Sequence, residues 1–348
     1  MGVLLVVISA AGYGSGALFV QPLYEAGLEP LPVLFWRFGT AALFSWAFLL
    51  MAARARASVR SLARRRVAVL VFLGALFVGN SYAYIASLQV VPITLSSIIT
   101  YLYPAFVAVL ATRLVRRLEG RRAWIALAVS IAGVALAVGG IPEGELPPLW
   151  GLVLAFANPV IYAFWIVLSS RLAGDRPIRD GTSGEAAVSA SLEHVIDIPP
   201  ADAETVSDVP DPLPASAIMI TATAAVYGGL VLLSGGSISP LDVPAGSWIP
   251  VLGIGLVSTT IAIQAFYAGL KRIGGARAAL ISTVEPIYTI VLAMLLFGER
   301  LTPLQILGGV LVIGAVILAE TGRPEPRADG TDRVAQPSAT ASDPERGV

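Results

Sequence analysis

Long apolar runs alternate with short polar breaks along nearly the whole chain. A run of about twenty apolar residues is what an α-helix needs to cross a bilayer. Runs of that kind lie near Val3–Val20, Leu31–Ala52, Val67–Leu88, Ile93–Val115 and Ala123–Gly139. Five more lie near Leu149–Leu172, Ala215–Ser234, Trp248–Leu270, Ala276–Phe297 and Pro303–Ala319. The pattern predicts an all-α polytopic membrane protein with ten transmembrane helices. A β-barrel would instead show short segments of alternating polarity. The first run lacks a basic n-region and a small-residue cleavage site, so it reads as a retained helix. Its glycines, Gly12, Gly14 and Gly16, predict close contact with another helix.

Composition agrees: 56% of the residues are hydrophobic and 13% charged. Cysteine is absent and His194 is the lone histidine, which leaves no thiol chemistry and no Cys/His metal site. No cofactor and no nucleic-acid partner is expected. Net charge is near zero, but the charges are sorted by side. Arg54, Arg56, Arg60 and Arg64–Arg66 follow span two; Arg113, Arg116, Arg117, Arg121 and Arg122 follow span four. Arg171, Arg176, Arg179, Lys271, Arg272 and Arg277 follow spans six and eight, while the opposite loops hold only Arg300. The positive-inside rule then predicts a plasma-membrane protein with both termini in the cytoplasm.

One stretch, Ile281–Arg300, sets a carboxylate, Glu285, directly before Pro286 in an apolar helix. Proline removes a helix hydrogen bond. A carboxylate in hydrocarbon costs about 2.5–3.5 kcal/mol on insertion scales. Neighbouring helices or a watery cavity must answer both. Tyr103-Pro104 occupies the same place in span four. Paired broken helices in two halves of a membrane chain point to a transporter's binding site. Ala111 aligns with Ala293, Leu114 with Leu296 and, after a one-residue slip, Gly133 with Gly314. An odd-numbered span thus matches an even-numbered one, so the halves insert in opposite senses. The expectation is a 5+5 inverted repeat, residues 1–141 and 149–320. An acidic cytoplasmic insert at 173–214 and a disordered tail at 321–348 complete the chain.

At these residues the sequence resembles the EamA-type branch of the drug/metabolite transporter superfamily. The resemblance rests on YGSGALFV in span one, FWRF at Phe35–Phe38, YAYIASLQVV, TYLYPAFVAVL, and the Glu-Pro, Gly-Glu-Arg-Leu and glycine-bearing segments of the last two spans. It implies ten helices in a basket around a central cavity, and movement of small metabolites, often export of amino acids. It specifies no substrate. The chain departs from the pattern in the turn RRLEGR (Arg116–Arg121), in Tyr13 where tryptophan is common, and in its longer insert.

Glu285 heads the site candidates. It either binds a substrate amine or a proton in a cavity, or is permanently paired at the break beside Pro286. Arg37 lies roughly 10 Å in from one end of span two. That depth favours snorkelling or clamping of carbonyls over binding of an anionic substrate group. Glu285 lies roughly 14 Å deep from the other side; no direct pair between the two is expected. Tyr13, Asn80, Tyr82, Tyr103, Tyr162, Gln264, Tyr267 and Tyr288, with Pro104 and Pro286 at the breaks, are pathway candidates. Tyr84, Tyr101, Asn158 and Trp165 join them as liners. Each could equally serve an interhelical hydrogen bond or an interfacial ring. As a group they suit small amphipathic solutes such as amino acids better than bare ions.

Three functions stay open: a secondary transporter working by alternating access, proton-coupled through Glu285 or not; a flippase for a lipid-linked or amphipathic molecule; and a membrane sensor that transports nothing. No nucleophile–base pair, metal cluster or phosphate loop supports an enzyme. The expected partners are a small-molecule substrate and the lipid bilayer, and both monomer and homodimer remain open.

Overall fold

The computed structural model describes residues 1–51, 62–111, 121–141, 146–172, 213–273, 278 and 281–321. Most of the arginine-rich loops, the RRLEGR turn up to residue 120, His194 with nearly all of the 173–214 insert, and the tail beyond residue 321 lie outside the described residues.

Among the described residues the chain is helical and contains no strand. α1 (Gly2–Glu25), α2 (Pro30–Met51), α3 (Arg64–Ser87), α7 (Leu149–Leu172) and α8 (Leu213–Leu233) are of membrane length. α4 (Ile93–Thr100), α5 (Tyr103–Ala111) and α6 (Arg121–Gly139) lie between the third and fourth of these. A sixth membrane-length run is composite: α9 (Trp248–Leu252), a π-helical stretch (Gly253–Ile261) and α10 (Ala262–Ile273). α11 (Val284–Phe297) and α12 (Pro303–Thr321) follow. Shorter apolar helices occupy Ile93–Val107, Ala128–Gly139, Val284–Phe297 and Pro303–Leu318. These properties make the protein a multi-pass membrane protein.

Local chemistry explains the element ends. Pro30 and Pro303 open α2 and α12, where a missing N–H costs nothing. Gly298 closes α11 with φ of +67°, a left-handed cap that glycine adopts without strain. Pro104 is the second residue of α5 and Pro286 the third of α11. Each proline therefore sits in the first turn of a half-helix, where its amide would be unpaired anyway. The chain breaks the helix before each proline rather than bending through it: Tyr101-Leu102 separates α4 from α5, and Thr283 precedes α11.

Packing follows the small residues. α1 packs on α10, on the π-helical stretch and on α11. Its three glycines make these approaches: a Cβ on Gly12 would meet Ala262 and Val257, one on Gly14 would meet Thr289, and one on Gly16 would meet Ser258. α2 packs on α8, α3 on α7 and α8, and α6 on α12. α4 and α5 lie against α7, and α4 also touches α11.

The Gly-Glu-Arg turn has a structural task that the sequence reading did not assign. Both carboxylate oxygens of Glu299 accept backbone N–H bonds at the start of α4, from Ile93 at 2.8 Å and Thr94 at 2.9 Å. A carboxylate there satisfies two orphan donors and complements the positive end of the helix. Beside it, Thr302 Oγ1 donates to the Gly140 carbonyl at 3.0 Å. These three bonds tie the last hairpin to the first half of the chain.

Candidate functional site

The two helix breaks meet at a cavity of about 240 Å³. Glu285 enters it from the first turn of α11, where the helix N-terminus favours a negative charge. Tyr101 and Tyr103 enter it from the break between α4 and α5, and the Tyr101 hydroxyl is hydrogen-bonded to the Glu285 carboxyl. The carboxylate of one broken helix is therefore answered by a phenol of the other. Thr289, one turn on, donates to the Glu285 carbonyl at 3.0 Å and lies within 3.2 Å of the Gly14 carbonyl, which seats α11 on α1.

Aromatic rings form one side of the wall. Tyr103 and Tyr162 have centroids 4.9 Å apart, and Tyr162 stacks on Trp165 at 6.1 Å. Phe77 meets Trp165 edge-on at 5.2 Å. The Trp165 indole N–H donates to the Leu73 carbonyl at 2.9 Å, so the ring is fixed as well as buried. Tyr13 and Tyr267 are the other predicted aromatic residues on the wall.

Arg37 also lines the cavity. Its Nε donates to Thr259 Oγ1 at 3.3 Å, and its guanidinium carbon stands 5.2 Å from the Phe38 ring centroid. The sequence favoured snorkelling or a clamp on backbone carbonyls for this residue; its hydrogen-bond partner is instead a hydroxyl, and its place is the interior wall.

Other candidates lie elsewhere. Pro104 and Pro286 are buried in the turns behind the wall. Asn80 is buried away from the cavity, where Asn158 Nδ2 donates to its side-chain oxygen at 2.6 Å and its carbonyl at 3.2 Å. Thr100 Oγ1 donates to Asn158 Oδ1 at 3.1 Å, so the amides join α3, α4 and α7. Both ends of the Asn158 amide thus find partners between helices rather than in the cavity. Gln264 sits behind the wall and donates to Ser216 Oγ at 3.3 Å. Tyr288 hydrogen-bonds Ser15 at 3.3 Å between α11 and α1. Tyr82 faces outward from α3 with 37% of its surface exposed, and Tyr84 is absent from the wall.

The polar wall residues that sequence reasoning missed are all hydroxyls: Thr100, Ser216, Thr223, Thr259 and Ser282. Serine and threonine in a membrane helix usually bond back to their own turn, so they give no local signal. The single Thr223 hydroxyl hydrogen is shared between the Met219 carbonyl of its own turn at 3.0 Å and the Gly74 carbonyl of α3 at 2.7 Å. Phe77, Phe266 and Met219 on the wall have the spacing of ordinary lipid-facing or packing residues. Among the described residues no three His, Cys, Asp or Glu side chains gather as a metal site would require.

A family model described as the EamA-like transporter family matches residues 1–139 and 209–321, more than half of the chain. The chain is 24% identical over 300 residues to the uncharacterized inner membrane transporter YedA of Escherichia coli strain K12, covering 85% of this chain and 84% of that protein. It is 25% identical over 324 residues to the uncharacterized transporter YcbK of Bacillus subtilis strain 168, covering 92% of each. An uncharacterized transporter of Archaeoglobus fulgidus is 32% identical over 74 residues, only 21% of this chain and 27% of that protein. A solved crystal structure superposes with a TM-score of 0.55 at 19% identity, covering 91% of this chain and 96% of the other. That likeness is one of fold.

Proposed function

We propose that this chain, which belongs to the EamA-like transporter family, exports small amphipathic solutes such as amino acids by alternating access, with Glu285 as the proton-coupling group. It is a membrane transporter by family and by the naming of its relatives. The observation that carries the finer reading is the meeting of two broken helices at one cavity, Glu285 on one side and Tyr101 and Tyr103 on the other. Discontinuous helices around a midplane site are the recurrent architecture of secondary transporters.

The helix contacts support two inverted repeats of five spans, residues 1–141 and 149–320. Exchanging spans one to five for six to ten turns the α1–α10 contact into α7–α3, and the α2 contact with the π-helical stretch into α8–α3. It turns the α1–α11 contact into that of α7 with α4 and α5, and returns α2–α8, α6–α12 and α4–α11 to themselves. Two such halves have two related packings of similar energy, and switching between them exposes the cavity to each side in turn. The sorting of arginines supports a plasma-membrane location with both termini cytoplasmic. The 173–214 insert then faces the cytoplasm and the tail at 321–348 extends from the last span. The partners are the solute and the bilayer.

Counterflow in proteoliposomes tests this. Vesicles loaded with amino acids, sugars and nucleotides are expected to exchange amino acids faster with the protein than without. Equal rates for all three classes, with the protein demonstrably folded, would contradict the reading and favour a lipid-linked cargo.

A further inference from the structure

A guanidinium has five N–H donors and a permanent charge. Within a membrane span such a charge is costly unless an anion or a set of acceptors answers it. Arg37 is half-buried in α2, on the cavity wall. One of its donors is used: Nε bonds Thr259 Oγ1 at 3.3 Å. Among the described residues, Nη1 and Nη2 have no acceptor and no carboxylate pairs with them. The Thr259 hydroxyl hydrogen is itself committed, donating at 2.9 Å to the Ile254 carbonyl five residues back in the π-helical stretch. Its oxygen is therefore turned to Nε as an acceptor. With Nε held, the free part of Arg37 is a planar pair of donors, the shape that accepts a carboxylate in bidentate fashion.

We propose that Arg37 is the anion subsite of this cavity, binding the carboxylate of a monoanionic or zwitterionic organic acid, and that Thr259 is its positioning residue. The inference rests on the reading of the cavity as the transport site. Charge balance selects the ligand class. With one guanidinium and the Glu285 carboxyl on the wall, a zwitterion leaves the cavity neutral and a monocarboxylate does so when Glu285 carries its proton, whereas a phosphate dianion leaves negative charge unanswered in either state. The rings of Phe77, Tyr103, Tyr162 and Trp165 offer apolar contact to the rest of such a molecule.

Thermal-shift titration of the purified full-length chain tests this, with benzoate, L-phenylalanine and 2-phenylethylamine as probes. Saturable stabilisation of the wild type by the two carboxylates is expected. Arg37→Gln is expected to weaken both by about tenfold or more, the size of a lost charge-assisted hydrogen bond, while leaving the amine's affinity unchanged. Thr259→Val is expected to weaken the carboxylates by roughly threefold, and Thr259→Ser to restore them, which loss of packing alone would not produce. Unchanged carboxylate affinity in Arg37→Gln, or in Thr259→Val should the arginine variant not fold, would overturn the proposal. So would a wild type that binds only the amine, an outcome that leaves the transport reading standing. Failure of all solutes to exchange in counterflow would remove both.

Discussion

Replacing Glu285 with glutamine is expected to uncouple transport from a pH gradient while leaving solute exchange in place. Among the described residues Glu285 is the sole acidic group on the cavity wall, and it sits where a helix N-terminus and the Tyr101 hydroxyl both stabilise it. Glutamine keeps the volume and an acceptor for Tyr101, so the helix break and its packing survive. It cannot take up and release a proton. One proton carried per cycle across one pH unit is worth about 1.4 kcal/mol, a tenfold solute ratio at equilibrium. Wild-type vesicles are therefore expected to approach that ratio, and Glu285→Gln vesicles to settle near unity. Radiolabelled solute accumulation under an imposed gradient measures both. Full accumulation by the variant would show that Glu285 only holds the break.

The second large effect lies outside the cavity, where α6 and α12 cross. A Cβ on Gly133 would lie 2.7 Å from the Gly308 carbonyl oxygen, and one on Gly308 would lie 2.8 Å from the Ala137 amide nitrogen. Both obstructions are backbone, which cannot rotate away. Without a hydrophobic force between helices in lipid, such close approach is a main source of association. Gly133→Val and Gly308→Val are each expected to destabilise the fold by about 1–3 kcal/mol, the usual cost of overpacking. The double variant should lose less than the sum, because the two sites share one contact. Thermal denaturation in detergent reads this. Strict additivity, or wild-type stability in either single variant, would contradict the crossing.

Much of this architecture was legible in the chain. The apolar runs mark the membrane-length helices because hydrocarbon requires them. Tyr103-Pro104 and Glu285-Pro286 mark the breaks because proline and a buried carboxylate need a reason to be there. Paired breaks of this kind point to a binding site, and residues from both line one cavity. The π-helical stretch was not legible: GIGLVSTTI has neither proline nor charge. Its tertiary contacts are with α2: Thr260 Oγ1 reaches the Ala41 carbonyl at 3.2 Å, and Gly255 lets Thr40 come against the backbone. The contact that Arg37 makes was hidden for the same reason. The residue's depth along α2 was readable, but its partner, Thr259, is far away in the chain. Asn80 and Asn158 lie off the cavity wall and bond each other between α3 and α7, a pairing of distant positions that neither span shows by itself.

The most direct test of alternating access uses the absence of native cysteine. Ser282 is small, lines the cavity and is 5% exposed, so Ser282→Cys places a lone thiol at the site with little change in volume. A membrane-impermeant thiol reagent should label it from either face, in right-side-out and in inverted vesicles, with the transported solute slowing both reactions. Labelling from one face only, whatever solute or gradient is present, would contradict the account.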